Sequence, residues 1–101
     1  MLVDINQVLF DMNDMPISDV DGKEATLRKV SIEALAATYQ DESTLSGEEK
    51  LKRFELAMKV KNTPTPIDLT VEEAAMIKKL IGKAFGVIVV GQAWKMLEGS
   101  N

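Results

Sequence analysis

The stretch IDLTVEEAAMIKKLIGKAFGVIVVGQAWKMLEG, residues 67–99, decides the fold. It opens with a capping box, in which the Thr70 hydroxyl accepts from the backbone N–H of Glu73 and the Glu73 carboxylate accepts from the backbone N–H of Thr70. The apolar residues that follow recur at helical spacing: Ile77, Leu80, Ile81, Ala84, Phe85 and Ile88. Such spacing places them on one face of a helix. The stretch therefore predicts a helix that begins after Thr70 and supplies much of the core.

A further helix is predicted beyond Gly86. A glycine inside a helix costs about 1 kcal/mol relative to alanine, so the pattern favours two helices that meet near Gly86. The β-branched run at residues 87–90 is also compatible with a strand. The spacing of Val87, Val90, Trp94 and Leu97 favours a helix, and Gly99 stands where a helix commonly ends.

This last helix carries apolar residues on more than one side, which predicts that it is covered on more than one side. We expect a second copy of the chain, related by a two-fold axis, to provide the cover, since most soluble oligomers are closed homo-oligomers. The alternative is that the N-terminal segment folds over it within one chain. The interface candidates are Val87, Ile88, Val89, Val90, Trp94 and Leu97.

The remaining chain predicts one domain, residues 1–101, that is mainly α, with about four helices and a small N-terminal β-hairpin. Residues 1–25 form the β-hairpin arm, with turn signals at 11–14 and at Asp21-Gly22. Residues 26–61 form two helices, the first over 27–39 and the second opened by a capping box at Ser46. Residues 62–69 are a proline-containing connector, and 70–99 are the C-terminal helical pair. No internal repeat is evident.

The second of these helices is expected to have one apolar stripe, with its charged residues on the opposite side. The apolar residues are Leu51, Phe54, Leu56, Ala57, Met58 and Val60. The second helix is rich in basic residues, whereas residues 1–22 contain five aspartates and no lysine or arginine. The helix and the N-terminal segment are therefore expected either to lie on separate solvated faces or to attract each other, within one chain or between two.

Several kinds of chemistry are excluded by composition. The chain has no cysteine and no histidine, which removes disulfides, thiolate and imidazole metal ligands and histidine-based catalysis. Asp19 and Asp21 resemble part of a calcium loop, but position 12 of that loop is Val30 instead of glutamate. We therefore expect no catalytic residue, no cofactor-binding residue and no metal site, and gathering of the N-terminal aspartates around Mg²⁺ remains the minor alternative.

Charge and hydropathy limit the partners. The formal net charge of −4 argues against nonspecific binding to nucleic acid, which needs a basic footprint. The longest apolar run, residues 87–90, is far shorter than the roughly 20 residues that span a bilayer. The basic helix faces suggest an anionic-ligand site, although such faces are more often simply solvated. The candidates for that site are Lys50, Arg53, Lys78, Lys79 and Lys83.

The order of several motifs resembles a group of small, uncharacterised proteins of tailed bacteriophages and prophages. The motifs are DMNDMPI at 11–17, EALAATY at 33–39, LSGEEKLKRFELAMKV at 45–60, DLTVEEAAMIKKLIGKAF at 68–85 and VVGQAW at 89–94. They cover most of the chain and are structural in character, so no functional residue is carried over. The resemblance implies a phage accessory role that is exercised in the host cytoplasm by binding.

The expected function is therefore that of a non-enzymatic phage accessory protein. It would bind and modulate a host or phage protein as a homo-oligomer, without a cofactor and without contact to a membrane or nucleic acid. The alternative, from a different class, is a small-ligand binder that sequesters an anionic nucleotide signal through its basic helix faces.

Overall fold

A computed structural model describes residues 1–42 and 44–99. Within these residues the chain forms four α-helices, α1 (Leu27–Ala36), α2 (Gly47–Asn62), α3 (Val71–Ala84) and α4 (Val87–Leu97), and a 3₁₀ turn at Gln40–Glu42. Two short strands, β1 (Leu2–Val3) and β2 (Ile67–Asp68), pair antiparallel, with Leu2 opposite Asp68 and Val3 opposite Ile67. The prediction of a mainly α fold with four helices and a small antiparallel β element at the N-terminus is confirmed, and the strand that pairs with β1 comes from the connector.

One hydrophobic cluster joins all parts of the fold. Helix α1 is its centre, since it packs against both α2 and α3, and α4 packs against α3. The largest side chains of this core are completely buried: Ile5, Leu9, Leu27, Ile67, Leu69, Ile77, Leu80, Ile81 and Leu97. They come from the N-terminal arm, the connector and three helices, so no segment on its own buries a comparable core.

Side-chain caps fix the helix starts. Thr26, Ser46 and Thr70 each accept the backbone N–H three residues ahead. At Thr70 both halves of the capping box are present, as predicted. At Ser46 the hydroxyl accepts from the N–H of Glu49, whose carboxylate lies 3.5 Å from Lys52 Nζ. The second capping box is therefore present in its serine half.

Helix α1 ends at Ala36, earlier than the predicted end at residue 39. Ala37 is already extended, with φ −72° and ψ 154°. The chain then brings Tyr39 back against the helix layer, where its hydroxyl lies 2.7 Å from the carbonyl oxygen of Ala34 and 3.3 Å from that of Leu80. Because the side chain makes these tertiary contacts, the last turn of the predicted helix is replaced by an extended segment.

The N-terminal arm is built from two similar turns, a short repeat that the sequence motifs did not predict. Leu9, Ile17 and Ala25 follow one another at intervals of eight residues and bond in a closed ring. The Leu9 N–H donates to Ala25 over 3.0 Å, the Ile17 N–H to Leu9 over 2.9 Å and the Ala25 N–H to Ile17 over 2.7 Å. The ring satisfies these buried backbone groups without a regular sheet.

Each turn of the arm is held by an aspartate. The Oδ1 atom of Asp11 accepts two backbone N–H groups of its turn, and Oδ1 of Asp19 accepts the two equivalent ones. The fourth residue of each turn has a positive φ, 62° at Asp14 and 81° at Gly22. Asparagine, aspartate and glycine tolerate this geometry best, which explains the polar composition of the arm.

The connector is held in place by Arg28. Its guanidinium donates to the carbonyl oxygens of Val60 and, over 2.8 Å, of Thr63, at the end of α2. Thr65 accepts from the backbone N–H of Ile5 over 3.1 Å and donates to Asp4 over 2.9 Å. These bonds fasten the connector to the N-terminal arm, so that β2 can pair with β1.

The run at residues 87–90 is helical. Helix α3 ends at Ala84 and α4 begins at Val87 after the extended Gly86, so the two helices meet where the sequence predicted.

Candidate functional site

An exposed apolar surface lies where the N-terminal arm meets the start of α4. It consists of Phe10, Met12, Val87 and Ile88, whose exposed fractions are 43%, 79%, 85% and 38%. We call it the arm–α4 surface. A shallow groove of about 500 Å³ runs along it, and the lining of the groove also includes the polar residues Asp11, Asp14, Gln92 and Lys95. The surface thus combines exposed apolar residues with polar ones, as protein-binding patches do.

Gln92 holds the two halves of the arm–α4 surface together. Its amide oxygen accepts the Phe10 backbone N–H over 2.9 Å, and its amide nitrogen donates to the Phe10 carbonyl oxygen over 2.7 Å. One side chain therefore replaces a strand partner for Phe10 and keeps it beside Ile88. The surface is defined by this pair of hydrogen bonds between residues 82 positions apart.

The six predicted interface residues do not share one face. Val87 and Ile88 are exposed, whereas Val89, Val90 and Trp94 are partly buried against the core. Leu97 is completely buried, so its inclusion in an intermolecular stripe was wrong. Leu97 belongs to the hydrophobic core, to which α4 contributes by packing against α3.

Trp94 is held in place by polar contacts as well as by packing. Its indole N–H donates to the carbonyl oxygen of Lys78 over 2.9 Å. The Lys78 ammonium lies 4.8 Å from the ring centroid and also pairs with Glu98. The position where Gly82 would carry a Cβ lies 3.3 Å from the indole, so the absence of a side chain at Gly82 lets the ring approach α3 closely. Trp94 therefore joins α4 to α3.

A second exposed apolar surface runs along α2. Leu51, Phe54 and Met58, with exposed fractions of 56%, 61% and 37%, form what we call the α2 stripe. Leu56 and Val60 point the other way into the core. The expectation of one apolar stripe with all charges opposite was wrong, because α2 has two apolar faces.

The core-facing side of α2 also buries a charge. Arg53 is 7% exposed and binds Glu42 through two nitrogens, one of them at 2.8 Å. Lys83 lies 3.2 Å from the same carboxylate and 3.1 Å from Asp41. The hydrogen bonds from Arg53, more than those from Lys83, lower the pKa of Glu42 to about 2, against the opposing effect of its burial. Bonding to Glu42 in turn raises the pKa of Arg53.

The five candidates for an anionic-ligand site fall into separate places. Lys50 and Arg53 line a cavity of about 490 Å³, together with Tyr39, Phe54 and Glu42. Lys83 contributes to the same ion cluster through Glu42. Lys78 belongs to the contact with Trp94, and Lys79 is exposed on α3. Arg53, Lys78 and Lys83 therefore already have carboxylate partners within the chain.

The N-terminal aspartates are used by the arm itself. Asp19 accepts from its own turn and pairs with Lys29 over 2.7 Å, and hydrogen bonds from the turn and from Lys29 lower its pKa. In residues 1–42 and 44–99 no group of three or more acidic side chains is arranged to hold a metal ion. Within the same residues, none of the helices has the length and apolar character needed to cross a membrane.

Comparisons with known proteins give no match: no protein-family model fits the chain, and no curated protein or solved structure resembles it significantly.

Proposed function

We propose that this protein is a non-enzymatic accessory protein that binds and modulates another protein, as a homo-oligomer. The observation that carries the proposal is the arm–α4 surface. It places Phe10, Met12 and Val87 in solvent around a groove, and Gln92 holds the two contributing segments in register. Maintaining such a surface costs solubility, which favours a binding role for it.

The setting that we propose is a phage-infected cell, with a host or phage protein as the partner, and the cytoplasm as the place of action. Support for this setting comes from the sequence motifs that resemble small phage proteins. The groove is lined by Asp11 and Asp14 as well as Lys95, so the proposed partner presents an apolar segment with charged neighbours, which are basic where they meet the two aspartates.

The test uses two valines in matched positions. Val87 and Val71 are each the first residue of a helix and are 85% and 77% exposed. An acidic residue at a helix N-terminus is favourable, so Val87→Asp and Val71→Asp are both expected to fold normally. Tagged wild-type protein and both variants are used to capture partners from host lysate, with mass spectrometry as the readout.

We expect the wild type and Val71→Asp to retain the same partner and Val87→Asp to lose it by about tenfold or more. Binding is then measured with the purified partner by calorimetry. Equal capture by Val87→Asp and the wild type would show that the arm–α4 surface is not the binding site.

The alternative function is sequestration of an anionic nucleotide, for which the specific observation is the cavity that Lys50 and Arg53 line beside Tyr39. Its support is weaker, because the Arg53 charge is already neutralised by Glu42. A thermal-shift screen with nucleotides in phosphate-free buffer tests it. A shift that Lys50→Ala abolishes would favour this alternative over protein binding.

A further inference from the structure

The α2 stripe has the spacing of a coiled-coil seam. Leu51, Phe54 and Met58 are separated by three and then four residues, which is the alternation of the two core positions in a heptad repeat. Of the other helices, α2 packs mainly against α1, so the opposite side of α2 is open to solvent. The stripe therefore presents a ready seam for one further helix.

Opposite charges border the stripe on its two sides. Leu51 and Phe54 take the two core positions of the heptad. Lys50, just before Leu51, and Glu55, just after Phe54, therefore occupy the two positions that flank the core. The structure places them on opposite sides of α2, because Lys50 lines one cavity with Phe54 and Arg53, while Glu55 lines another with Lys52 and Leu56. Lys50 therefore lies on one edge of the stripe and Glu55 on the other.

These two charges are unpaired within the described part of the chain. Of the other charged residues of α2, Lys52 pairs with Glu49, Arg53 with Glu42 and Lys59 with Glu73, whereas Glu48 and Lys61 form no ion pair with a described residue. Lys50 and Glu55 are exposed, and neither forms an ion pair with any described residue. They remain available to a helix that lies on the stripe.

We propose that the α2 stripe binds the α2 stripe of a second copy, in a parallel two-fold pair. In a parallel coiled coil, the residue just before the first core position of one helix faces the residue five positions later in the other helix. Each Lys50 therefore faces Glu55 of the partner subunit. An antiparallel pair that packs stripe on stripe would instead place Glu55 opposite a second Glu55. Charge complementarity thus selects both the occupant and its direction.

This inference rests on the homo-oligomer part of the proposed function and places it on α2 instead of α4. Three apolar residues per copy make a smaller contact than the roughly 800 Å² per partner of a stable interface, so the dimer is reversible. We expect the mass to rise from the monomer value of 11.1 kDa toward twice that value with concentration. Sedimentation equilibrium between about 5 µM and about 500 µM covers the corresponding range of affinities.

The decisive experiment exchanges the two flanking charges. Lys50→Glu and Glu55→Lys each place like charges opposite one another in both symmetry-related pairs, so each variant alone is expected to dimerise about tenfold more weakly or worse. The double variant restores opposite charges and is expected to dimerise like the wild type. An equimolar mixture of the two single variants is expected to form the heterodimer, which native mass spectrometry identifies by its mass.

Two controls accompany the exchange. Lys79→Glu on α3 makes the same change in net charge as Lys50→Glu and should leave the dimer unchanged. Phe54→Asp removes the centre of an exposed stripe and should give a folded monomer by circular dichroism. A wild type that remains monomeric at the highest concentration, or single variants that dimerise normally, would overturn the proposal, as would failure of the heterodimer to form.

The test of the α2 dimer can be distinguished from the test of partner binding at the arm–α4 surface. Val87→Asp lies on the arm–α4 surface and should leave the dimer mass unchanged while it reduces capture of the partner. Loss of dimerisation in the α2 variants with normal partner capture supports the α2 pair by itself, whereas loss of capture with a normal dimer concerns the arm–α4 surface alone.

Discussion

At the scale of single residues, Arg53, Glu42 and Lys83 form a cluster of ion pairs. Glu42 follows the extended segment after α1, and Arg53 and Lys83 reach it from α2 and α3. A buried arginine without a carboxylate would be costly, so the short 3₁₀ turn that carries Glu42 is needed to complete the core. The cluster therefore joins three parts of the chain by charge-assisted hydrogen bonds.

The cluster predicts a particular acid sensitivity. The pKa of Glu42 falls from its ordinary value of 4.5 to about 2 because of the hydrogen bonds from Arg53 and Lys83. The unfolded chain thus takes up this proton first, and the stabilisation is complete above pH 4.5 and is lost as the pH falls toward 2. We expect the melting temperature of the wild type to fall more steeply over this window than that of Glu42→Gln. Parallel curves for the two proteins would contradict the assignment.

At the scale of elements, the N-terminal arm shows how two short turns form an ordered structure without a long strand. The ring of hydrogen bonds among Leu9, Ile17 and Ala25 closes the arm. Leu9 is completely buried and Ala25 nearly so, whereas the turns themselves are exposed. The arm is therefore fastened to the core at the residues of the ring, and the conformation of each turn depends on its own aspartate and on a residue of positive φ.

Gly22 tests this description of the arm. Its φ of 81° is unfavourable for a residue with a Cβ, so Gly22→Ala is expected to lower the free energy of unfolding by about 1 kcal/mol. Gly47→Ala is the control, since Gly47 begins α2 and has no atom within 4 Å of the added Cβ. Urea denaturation measures both. An equal effect of the two substitutions would show that the turn geometry at Gly22 is not under constraint.

At the scale of the whole molecule, α4 is a part of the core and also borders a surface. Its inner side, with Ala93 and Leu97, is completely buried, whereas Val87 and Ile88 at its start are exposed. Val89 lies between these extremes and packs partly against the core. The apolar run at residues 87–90 thus begins with two exposed residues and continues with residues that pack partly against the core.

This division predicts different outcomes for two neighbouring substitutions. Val89→Asp places a charge against the core and is expected to lower the melting temperature clearly, because a buried carboxylate without a partner is costly. Val87→Asp, at an exposed helix start, is expected to leave it nearly unchanged. Thermal denaturation, monitored by circular dichroism, compares the melting temperatures of the two variants. A folded Val89→Asp of unchanged stability and smaller mass would instead support self-association through α4.

The sequence by itself determined the features that depend on neighbouring residues. The caps at Ser46 and Thr70 and the break at Gly86 all follow from interactions within about one helical turn. The helical state of residues 87–90 followed from their spacing. The lack of cysteine and histidine likewise excluded whole classes of chemistry on composition alone.

Only the tertiary structure decided which apolar side of each helix is covered. Leu97 and Phe54 look equivalent as members of apolar stripes, yet the first is completely buried and the second is 61% exposed. The partners of Arg53 and Gln92 also come from distant parts of the chain. Spacing along a helix states which residues share a face, but burial of that face depends on the element that packs against it, and that element is selected by the energy of the whole core.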